Sequence, residues 1–411
     1  MADEYLHSPS RVANQLRDQL SSEKRKLGFF YGAGTSIAVG IPGVLSLTSK
    51  VFDKLEKQYK EPFDALRKKC GSENIEHVLN MLRTIRELIG DSDDEEIYKI
   101  KGREAGQKLD VEICKAISKI VMDSTTDEFD PHMTFCNWLF QNQATRHTPI
   151  EIFTSNYDLL IERALELKKL PYFDGFVGTI DSFLIPESVE AENDKLSAGL
   201  YVPFSWIRIW KIHGSINWFL TIDKEGKKRI IRSSHKAPNV GDELMIYPSK
   251  QKYDESRRLP FIVFQDRMRK FLANGEGLFV IAGYSFSDDH INEIIFESLR
   301  SNNRLAITAL VYGEPEKNRT INEKVLRYGL SNPNFSILGP DKACIGGVIA
   351  KWDVDESEDE IFWDKEKKIF NLGDFVTFSK YLKMNFGVLA QIQNKGIAKI
   401  SDQETETETK K

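Results

Sequence analysis

Short apolar runs, most of them ended by small or polar residues, predict a series of buried β-strands. They occupy residues 27–31, 150–154, 207–212, 278–282 and 305–312. Runs of this kind are typical of strands that are covered on both faces, and helical patterns follow several of them. Strands that alternate with helices form parallel sheets. We therefore predict an α/β protein with a Rossmann-like parallel sheet, built from about 20–44 and 148–340, and with helices on both faces.

Apolar residues spaced three and four positions apart predict helices elsewhere in the chain. Val12, Leu16 and Leu20 give residues 10–24 one apolar side. The longest stretch of this kind runs from about 44 to 143 and includes the regular apolar spacing of 75–89. We expect it to form a helical subdomain inserted at about 45–147. Further helices are predicted within 251–274 and near 375–389.

Residues 218–233 predict a β-hairpin. Two strand-like segments, 219–222 and 229–232, flank a turn that contains Gly226. We place this hairpin in a second insertion, at about 215–250. The predicted organisation is then one domain over 1–340, a C-terminal extension over 341–400 that could serve as an interaction segment, and a polar, disordered tail over 401–411.

The composition is that of an ordinary globular protein. The 411 residues include 57 Lys and Arg against 62 Asp and Glu, a formal net charge of -5, so contact with nucleic acid is expected only indirectly, if at all. No window approaches the roughly 20 apolar residues that span a bilayer, and the first residues do not form a secretory signal. We expect a cytoplasmic protein without membrane contact. Its four cysteines are far apart, which predicts reduced thiols rather than disulfides or a zinc ribbon.

The most specific motif follows the first predicted strand and reads Gly32, Ala33, Gly34, Thr35, Ser36, and then Gly40, Ile41 and Pro42. Glycines in a strand-to-helix turn let the backbone approach a phosphate closely, and the start of the next helix offers N–H groups. The common dinucleotide motif G-x-G-x-x-G would need glycine at position 37, where this chain has Ile37. The alternative is a tight turn that binds no ligand.

Three further polar motifs end predicted strands. They are Thr154-Ser155-Asn156-Tyr157-Asp158, Lys211-Ile212-His213-Gly214 and Gly283-Tyr284-Ser285. An open parallel sheet binds its ligand at the carboxyl ends of its strands. All four motifs are therefore expected to meet at one edge of the sheet.

In this order, over about residues 27–313, the four motifs resemble those of the sirtuin family. The first resembles the family's glycine-rich signature and the second its T-Q-N-x-D motif, with Ser155 in place of Gln; the third resembles its catalytic His-Gly and the last its Gly-Thr-Ser turn. The resemblance implies that NAD binds across the strand ends, with its pyrophosphate on residues 32–36. The cofactor-binding residues would be Gly32, Ala33, Gly34, Thr35, Ser36, Ile41, Pro42, Asp158, Gly283 and Ser285.

The chemistry expected at such a site assigns catalytic roles to Asn156 and His213. Cleavage of the bond between nicotinamide and ribose needs a firmly held ribose and one activated nucleophile. Imidazole titrates near neutral pH, so we assign His213 as the general base that acts on a ribose hydroxyl or on water. Asn156 would orient the ribose or the attacking water. Gly313 and Glu314, after the strand at 305–312, are expected near the adenine ribose.

Several of these residues have a structural alternative. Asn156 and Asp158 open a helical run at 159–169, and we favour capping as the role of Asp158 but not of Asn156. Ser36 and Ser285 could cap helices and contact phosphate at once. Residues 288–290, two aspartates and a histidine, are adjacent and would not converge on one ion. We interpret them as a helix start and expect no metal site.

Departures from the family pattern indicate a particular branch. In sirtuin deacylases an acidic residue and Phe-Arg follow Gly-Ile-Pro, and a four-cysteine zinc ribbon follows His-Gly. Here Gly43-Val44-Leu45 follows Pro42, and residues 218–233 contain no cysteine. The chain is more similar to the sirtuin-like NAD-hydrolysing proteins of bacterial anti-phage defence. This resemblance implies a zinc-independent NAD glycohydrolase that depletes NAD in abortive infection, as a homo-oligomer, with a hexameric translocase ATPase as partner or a phage-derived trigger.

Two other functions stay open. The same site could serve an NAD-dependent protein deacylase or an ADP-ribosyltransferase, which a requirement for an acylated peptide would reveal. The fold could instead be a non-catalytic assembly subunit that senses NAD or ADP-ribose. Tight nucleotide binding without cleavage would indicate that function.

Overall fold

The computed structural model describes residues 5–71, 73–124, 129–190, 202–222, 225–226, 228–233, 243–246, 260–314, 321–353 and 361–384. Its helices are α1 (Pro9–Ser21), α2 (Ala33–Ile37), α3 (Val44–Lys54), α4 (Lys57–Cys70), α5 (Ile75–Ile89), α6 (Gly102–Asp123), α7 (Asp130–Gln143), α8 (Leu160–Leu167), α9 (Pro186–Glu190), α10 (Phe261–Ala273), α11 (Asp289–Ser301) and α12 (Glu323–Ser331). Its strands are β1 (Lys26–Tyr31), β2 (Glu96–Ile97), β3 (Ile100–Lys101), β4 (Glu151–Thr154), β5 (Tyr172–Phe173), β6 (Phe176–Val177), β7 (Ser182–Leu184), β8 (Ile207–Lys211), β9 (Gly214–Ile222), β10 (Lys228–Arg232), β11 (Glu243–Ile246), β12 (Gly277–Ala282), β13 (Leu305–Leu310), β14 (Phe335–Leu338), β15 (Lys342–Ile345), β16 (Val348–Lys351), β17 (Trp363–Asp364) and β18 (Ile369–Phe370).

A nine-stranded sheet forms the centre of the fold, in the order β16-β15-β14-β13-β12-β1-β4-β8-β5. The pairs from β14 to β5 are parallel, whereas β15 and β16 pair antiparallel. The five predicted apolar runs form β1, β4, β8, β12 and β13. The prediction of an α/β protein with a largely parallel sheet is confirmed.

Alternate residues of the central strands point to opposite faces of the sheet. In β1, Phe29 packs into one core with α1 and α3 to α8, whereas Phe30 packs into a second core with α10 to α12. In β12, Val280 and Phe279 divide between the two cores in the same way. Both faces are therefore covered by helices, as the continuous apolar runs predicted.

Between β1 and β4 the described residues form the helices α2 to α7, joined by loops, and the two-residue strands β2 and β3. Helix α5 shows why, because Val78, Leu82 and Ile85 follow helical spacing and are all buried. The predicted inserted helical subdomain is confirmed. None of the helices within the described ranges is both long and apolar enough to cross a membrane.

A second, antiparallel sheet follows β8, in the order β11-β9-β10-β7-β6. The predicted hairpin is present as β9 and β10, with Trp218 opposite Arg232 and Gly226 in the turn at φ +79°. Strand β9 begins at Gly214, earlier than predicted. His213 therefore lies at the junction between the two sheets.

The main sheet continues beyond residue 340 with two antiparallel strands that follow the predicted parallel part. Strand β15 adds to β14 with Cys344 opposite Ile337, and β16 adds to β15. The two-glycine turn at 346–347 is a hairpin signal that we did not use. Strand β16 lies at the sheet edge, and its apolar run is only three residues long, 348–350, with Val348 and Ile349 exposed.

The C-terminal part of the described chain packs back on the N-terminus. Residues 375–384 are helical, as predicted for part of 375–389. Within this helix the Tyr381 hydroxyl donates to the carbonyl oxygen of Ala13 at 2.6 Å. The predictions for 251–259, 385–400 and the tail at 401–411 lie outside the described residues.

Candidate active site

Four parallel strands end in one row at the carboxyl edge of the main sheet. The register partners of this row are Ala282 of β12, Tyr31 of β1, Thr154 of β4 and Lys211 of β8. Each of the four sequence motifs begins at this row or directly after it. The structure thus brings the motifs together where a doubly wound sheet binds ligands.

The glycine turns after β1 and β12 pack backbone against backbone. A Cβ on Gly32 would lie 2.5 Å from the Gly283 carbonyl oxygen, and a Cβ on Gly283 would lie 2.5 Å from the Thr35 nitrogen. Gly283 also has a φ of +65°, which favours glycine. The close contact of the two turns therefore requires glycine on both sides.

Hydrogen bonds within the protein use part of the N-terminal turn of α2. The N–H of Gly34 donates to the Gly283 oxygen at 2.8 Å, and the N–H of Thr35 donates to the Gly32 oxygen at 3.1 Å. The segment then turns back, since the N–H of Ile41 donates to the Ser36 oxygen at 3.1 Å. Two of the N–H groups that the sequence assigned to a phosphate thus hold the turn itself.

Asn156 joins the end of β4 to the turn after β1. Its Nδ2 donates to the Gly32 oxygen at 3.1 Å, to Thr35 Oγ1 at 3.0 Å and to Ser36 Oγ at 2.9 Å. Its backbone N–H donates to Thr154 Oγ1 at 2.9 Å. The side chain is buried. Asn156 therefore fixes the glycine-rich turn in place, in addition to any role toward a ligand.

Asp158 makes two contacts with the protein, the first of them the capping that the sequence favoured. Its Oδ1 accepts from the N–H of Leu160 at 3.0 Å, which caps the first turn of α8. Its Oδ2 accepts from Ser36 Oγ at 2.6 Å. The carboxylate thus connects the start of α8 to the glycine-rich turn.

A buried ion pair connects the end of β8 to α8 at this edge of the sheet. Lys211 Nζ lies 2.8 Å from Glu162 Oε1 and also donates to the Asp158 carbonyl oxygen. Burial raises the pKa of Glu162, although Lys211 opposes the shift. Lys211 precedes His213 by two residues, so this pair also anchors the end of β8.

His213 faces a carboxylate that the sequence did not assign to the site. Its Nε2 lies 2.9 Å from Asp288 Oδ2, an ion-pair distance. Both side chains are largely buried, at 8% and 16% exposed. Two strands, β4 and β1, lie between β8 and β12, the strands that these residues follow.

Asp288 was interpreted from the sequence as a helix start, and it is one. Its Oδ1 accepts from the N–H groups of His290 and Ile291 at the start of α11. The contact of its other oxygen with His213 was missed. An acidic residue five positions after the Gly283 turn was the available signal, but its direction toward His213 depends on the fold.

The remaining predicted residues lie along the same edge. Ser285 is exposed, with its hydroxyl 2.9 Å from that of Ser287. Glu314, after β13, accepts from the Tyr312 hydroxyl at 3.3 Å, and Gly313 between them is buried. Ala33 is the first residue of α2, and Pro42 lies five residues after the end of this helix. The NAD contacts assigned to these residues stay predictions.

Within the described parts of the chain, no three His, Cys, Asp or Glu residues are arranged to hold a metal ion. The cysteines lie on separate elements: Cys70 on α4, Cys114 on α6, Cys136 on α7 and Cys344 on β15. The residues 288–290 do not form a shared site, since Asp288 faces His213 and Asp289 pairs with Lys324.

Residues 150–329 match the family model of the SIR2-like domain. The matched range includes Asn156, His213, Gly283 and Asp288, and it begins after the glycine-rich turn at Gly32. No curated protein sequence matches the chain significantly.

Solved structures of Sir2 proteins resemble the chain at low sequence identity. A Sir2 homologue in complex with NAD is 13% identical, with a TM-score of 0.37, and the match covers 82% of this chain and 92% of that chain. A mutant Sir2 homologue with 2'-O-acetyl ADP ribose is 12% identical, with a TM-score of 0.35, covering 72% and 83%. A Sir2 protein bound to a propionylated peptide is 11% identical, with a TM-score of 0.34, covering 73% and 86%.

Proposed function

We propose that the protein is an NAD glycohydrolase that cleaves the bond between nicotinamide and ribose to give nicotinamide and ADP-ribose. The observation that carries this proposal is the position of Asn156 and His213. They follow the neighbouring parallel strands β4 and β8, beside the glycine turn of β1, at the edge where such sheets bind nucleotides. The match of residues 150–329 to the SIR2-like domain supports the same chemistry.

In this proposal the pyrophosphate lies over residues 32–36 and the nicotinamide ribose lies between Asn156 and His213. The backbone contact of the Gly32 and Gly283 turns makes a surface without side chains, which suits a phosphate group. Ile41 and Pro42 would border this surface, and Ser285 would reach the phosphates. Gly313 and Glu314 would lie toward the adenine ribose, because β13 is the next strand beyond β12.

The reaction needs little acid catalysis, because nicotinamide leaves as a neutral molecule from a cationic ring. The bond breaks through a transition state with positive charge on the ribose. Water then attacks the ribose carbon, and its proton passes to His213 as general base. A positioned base of this type contributes about 10²- to 10⁴-fold to the rate.

The sequence resemblance supports a role in bacterial anti-phage defence, in which NAD depletion ends the infection. An enzyme that consumes NAD without restraint would be toxic to its own cell. We therefore propose that activity is gated by homo-oligomer assembly, by a hexameric translocase ATPase partner or by a phage-derived trigger. The cytoplasm, where NAD is abundant, is the proposed compartment.

The test is a timed separation of nucleotides after the purified full chain is mixed with NAD, with and without an acetylated peptide. The variants are Asn156→Ala, His213→Ala and the control His147→Ala, since His147 is exposed and lies before β4. We expect wild type and His147→Ala to release nicotinamide and free ADP-ribose without the peptide, and Asn156→Ala and His213→Ala to release neither.

Other outcomes point to other functions. Turnover that requires the peptide and yields acetylated ADP-ribose would establish a deacylase. Tight binding of NAD without cleavage, unchanged by His213→Ala, would establish a sensing subunit. Full turnover by His213→Ala would show that the proposed base is wrong.

A further inference from the structure

We propose that Asp288 is a positioning residue for His213, whose carboxylate fixes the orientation of the imidazole and stabilises the imidazolium that forms when His213 accepts a proton. The proposal rests on the proposed function, because it assigns a partner to the proposed base. Asp288 itself would not contact the reacting atoms.

The first argument is the contact between the two side chains. His213 Nε2 and Asp288 Oδ2 are 2.9 Å apart, and both groups are largely withdrawn from solvent. An ion pair at this distance is screened much less in a buried setting than at the surface. The negative charge of Asp288 therefore acts strongly on the His213 ring.

The second argument is that α11 holds the carboxylate in a fixed direction. Asp288 Oδ1 accepts from the N–H of His290 at 2.9 Å and from the N–H of Ile291 at 3.2 Å. Capping occupies one oxygen only, and Asn or Ser would cap a helix equally well. The second oxygen, and the negative charge, are left to face His213.

The third argument is the state of the carboxyl group. Burial by itself would raise the pKa of Asp288, but the His213 side chain and the N–H groups at the start of α11 lower it to about 2. Asp288 is therefore ionised at neutral pH, and its negative charge faces the His213 ring.

The fourth argument is that the preceding turn is itself held by several contacts. The Tyr284 hydroxyl lies 3.1 Å from the Asp288 carbonyl oxygen and 3.0 Å from Asn292 Oδ1, and its one hydrogen can be donated to either. Asn292 Nδ2 donates to the oxygen of Phe286, whose φ of +56° is unusual for a residue with a side chain. Backbone strain of this kind is maintained only where the surroundings enforce it. The turn therefore presents Asp288 in one position.

The test compares Asp288→Asn with Asp289→Asn. The first variant keeps a capping oxygen but removes the charge opposite His213. The second removes the charge of the neighbouring residue Asp289. Its side chain is 82% exposed, and its carboxylate pairs with Lys324 Nζ at 2.9 Å rather than with His213. Both are examined for kcat and KM with NAD and for thermal unfolding. The ring ¹⁵N resonances of His213, identified by their loss in His213→Ala, are recorded by NMR for each protein.

We expect Asp288→Asn to lower kcat by about 10²- to 10⁴-fold with little change in KM, and to shift the His213 ring resonances. Asp289→Asn should leave kcat, KM and the His213 ring resonances near their wild-type values. Should Asp288→Asn not fold, Asp288→Ser supplies a cap without charge and is measured in its place.

Unchanged kcat together with unchanged His213 resonances would overturn the proposal and leave Asp288 as a helix cap only. The resonances also separate this proposal from the proposed function. Wild type that neither cleaves nor binds NAD would contradict the proposed function but not the pairing. A His213 shift in Asp288→Asn but not in Asp289→Asn would still support the pairing, and its absence would still refute it.

Discussion

The amide nitrogen of Asn156 lies 3.1 Å from the carbonyl oxygen of Gly32, so that a residue following β4 holds the turn that follows β1. The same nitrogen reaches the hydroxyls of Thr35 and Ser36. A hydroxyl can rotate to donate or accept, whereas a carbonyl oxygen can only accept. The Asn156–Gly32 contact therefore specifically requires a donor at position 156.

The variant Asn156→Asp tests that requirement. It keeps the shape of the side chain but places a carboxylate oxygen against the Gly32 oxygen, where neither can donate. We expect the free energy of unfolding to fall by about 1–3 kcal/mol, together with a loss of NAD binding by calorimetry. The control is Asn142→Asp on α7, whose amide also donates to a carbonyl oxygen, that of Trp138. Control and site variant should differ in NAD binding, and equal binding by both would contradict the argument.

Gly283→Ala should be far more harmful than Gly346→Ala. Both glycines have a similar φ, +65° and +59°, so an added Cβ strains both backbones to a similar degree, by about 1 kcal/mol. Only at Gly283 does the Cβ also meet backbone, 2.5 Å from the Thr35 nitrogen, whereas at Gly346 nothing lies within 4 Å. Urea unfolding and NAD binding of the two variants give the comparison. Equal stability of the two would show that the turns after β1 and β12 separate easily.

Removal of Lys211 should destabilise the protein through Glu162. In Lys211→Met the Glu162 carboxyl stays buried without its 2.8 Å partner, which costs about 3–5 kcal/mol for a charge pair of this type. The double variant Lys211→Met, Glu162→Gln removes both charges and should recover much of that loss. Urea unfolding of the wild type, both single variants and the double variant measures the coupling. Strictly additive effects would mean that the pair contributes nothing.

His132 on α7 should make the fold sensitive to mild acid. Burial lowers its pKa to about 4, although Asp158 opposes the shift. The unfolded chain then takes up this proton at higher pH than the folded protein, so the free energy of unfolding falls as the pH drops from about 6.5 to about 4. At pH 5 the loss attributable to His132 should be about 2 kcal/mol relative to pH 8.

The measurement is urea unfolding at pH 8 and pH 5 for wild type, His132→Gln and the exposed control His147→Gln. His132→Gln should lose less stability between the two pH values than wild type, whatever its stability at pH 8. His147→Gln should follow wild type. A His132→Gln variant as sensitive to pH as wild type would assign the acid sensitivity to other groups.

The central strands could be predicted from the sequence because burial on both faces imposes a local signature. Phe29 and Phe30 point to opposite cores, so both must be apolar, and a continuous run such as 27–31 results. Strand β16 was missed because its apolar run covers only 348–350: at the sheet edge, where Val348 and Ile349 are exposed, no longer run is required.

By itself the sequence determined which polar motifs end the parallel strands, because such motifs are local and their order along the chain is fixed. Only the tertiary structure decided which of them touch. The strand order β12-β1-β4-β8 is set by packing of the whole sheet, and it brings Asp288 to His213 across two intervening strands. The sequence around Asp288 therefore indicates only a helix cap. Its contact with His213 exists because segments that are distant in the chain fold against each other.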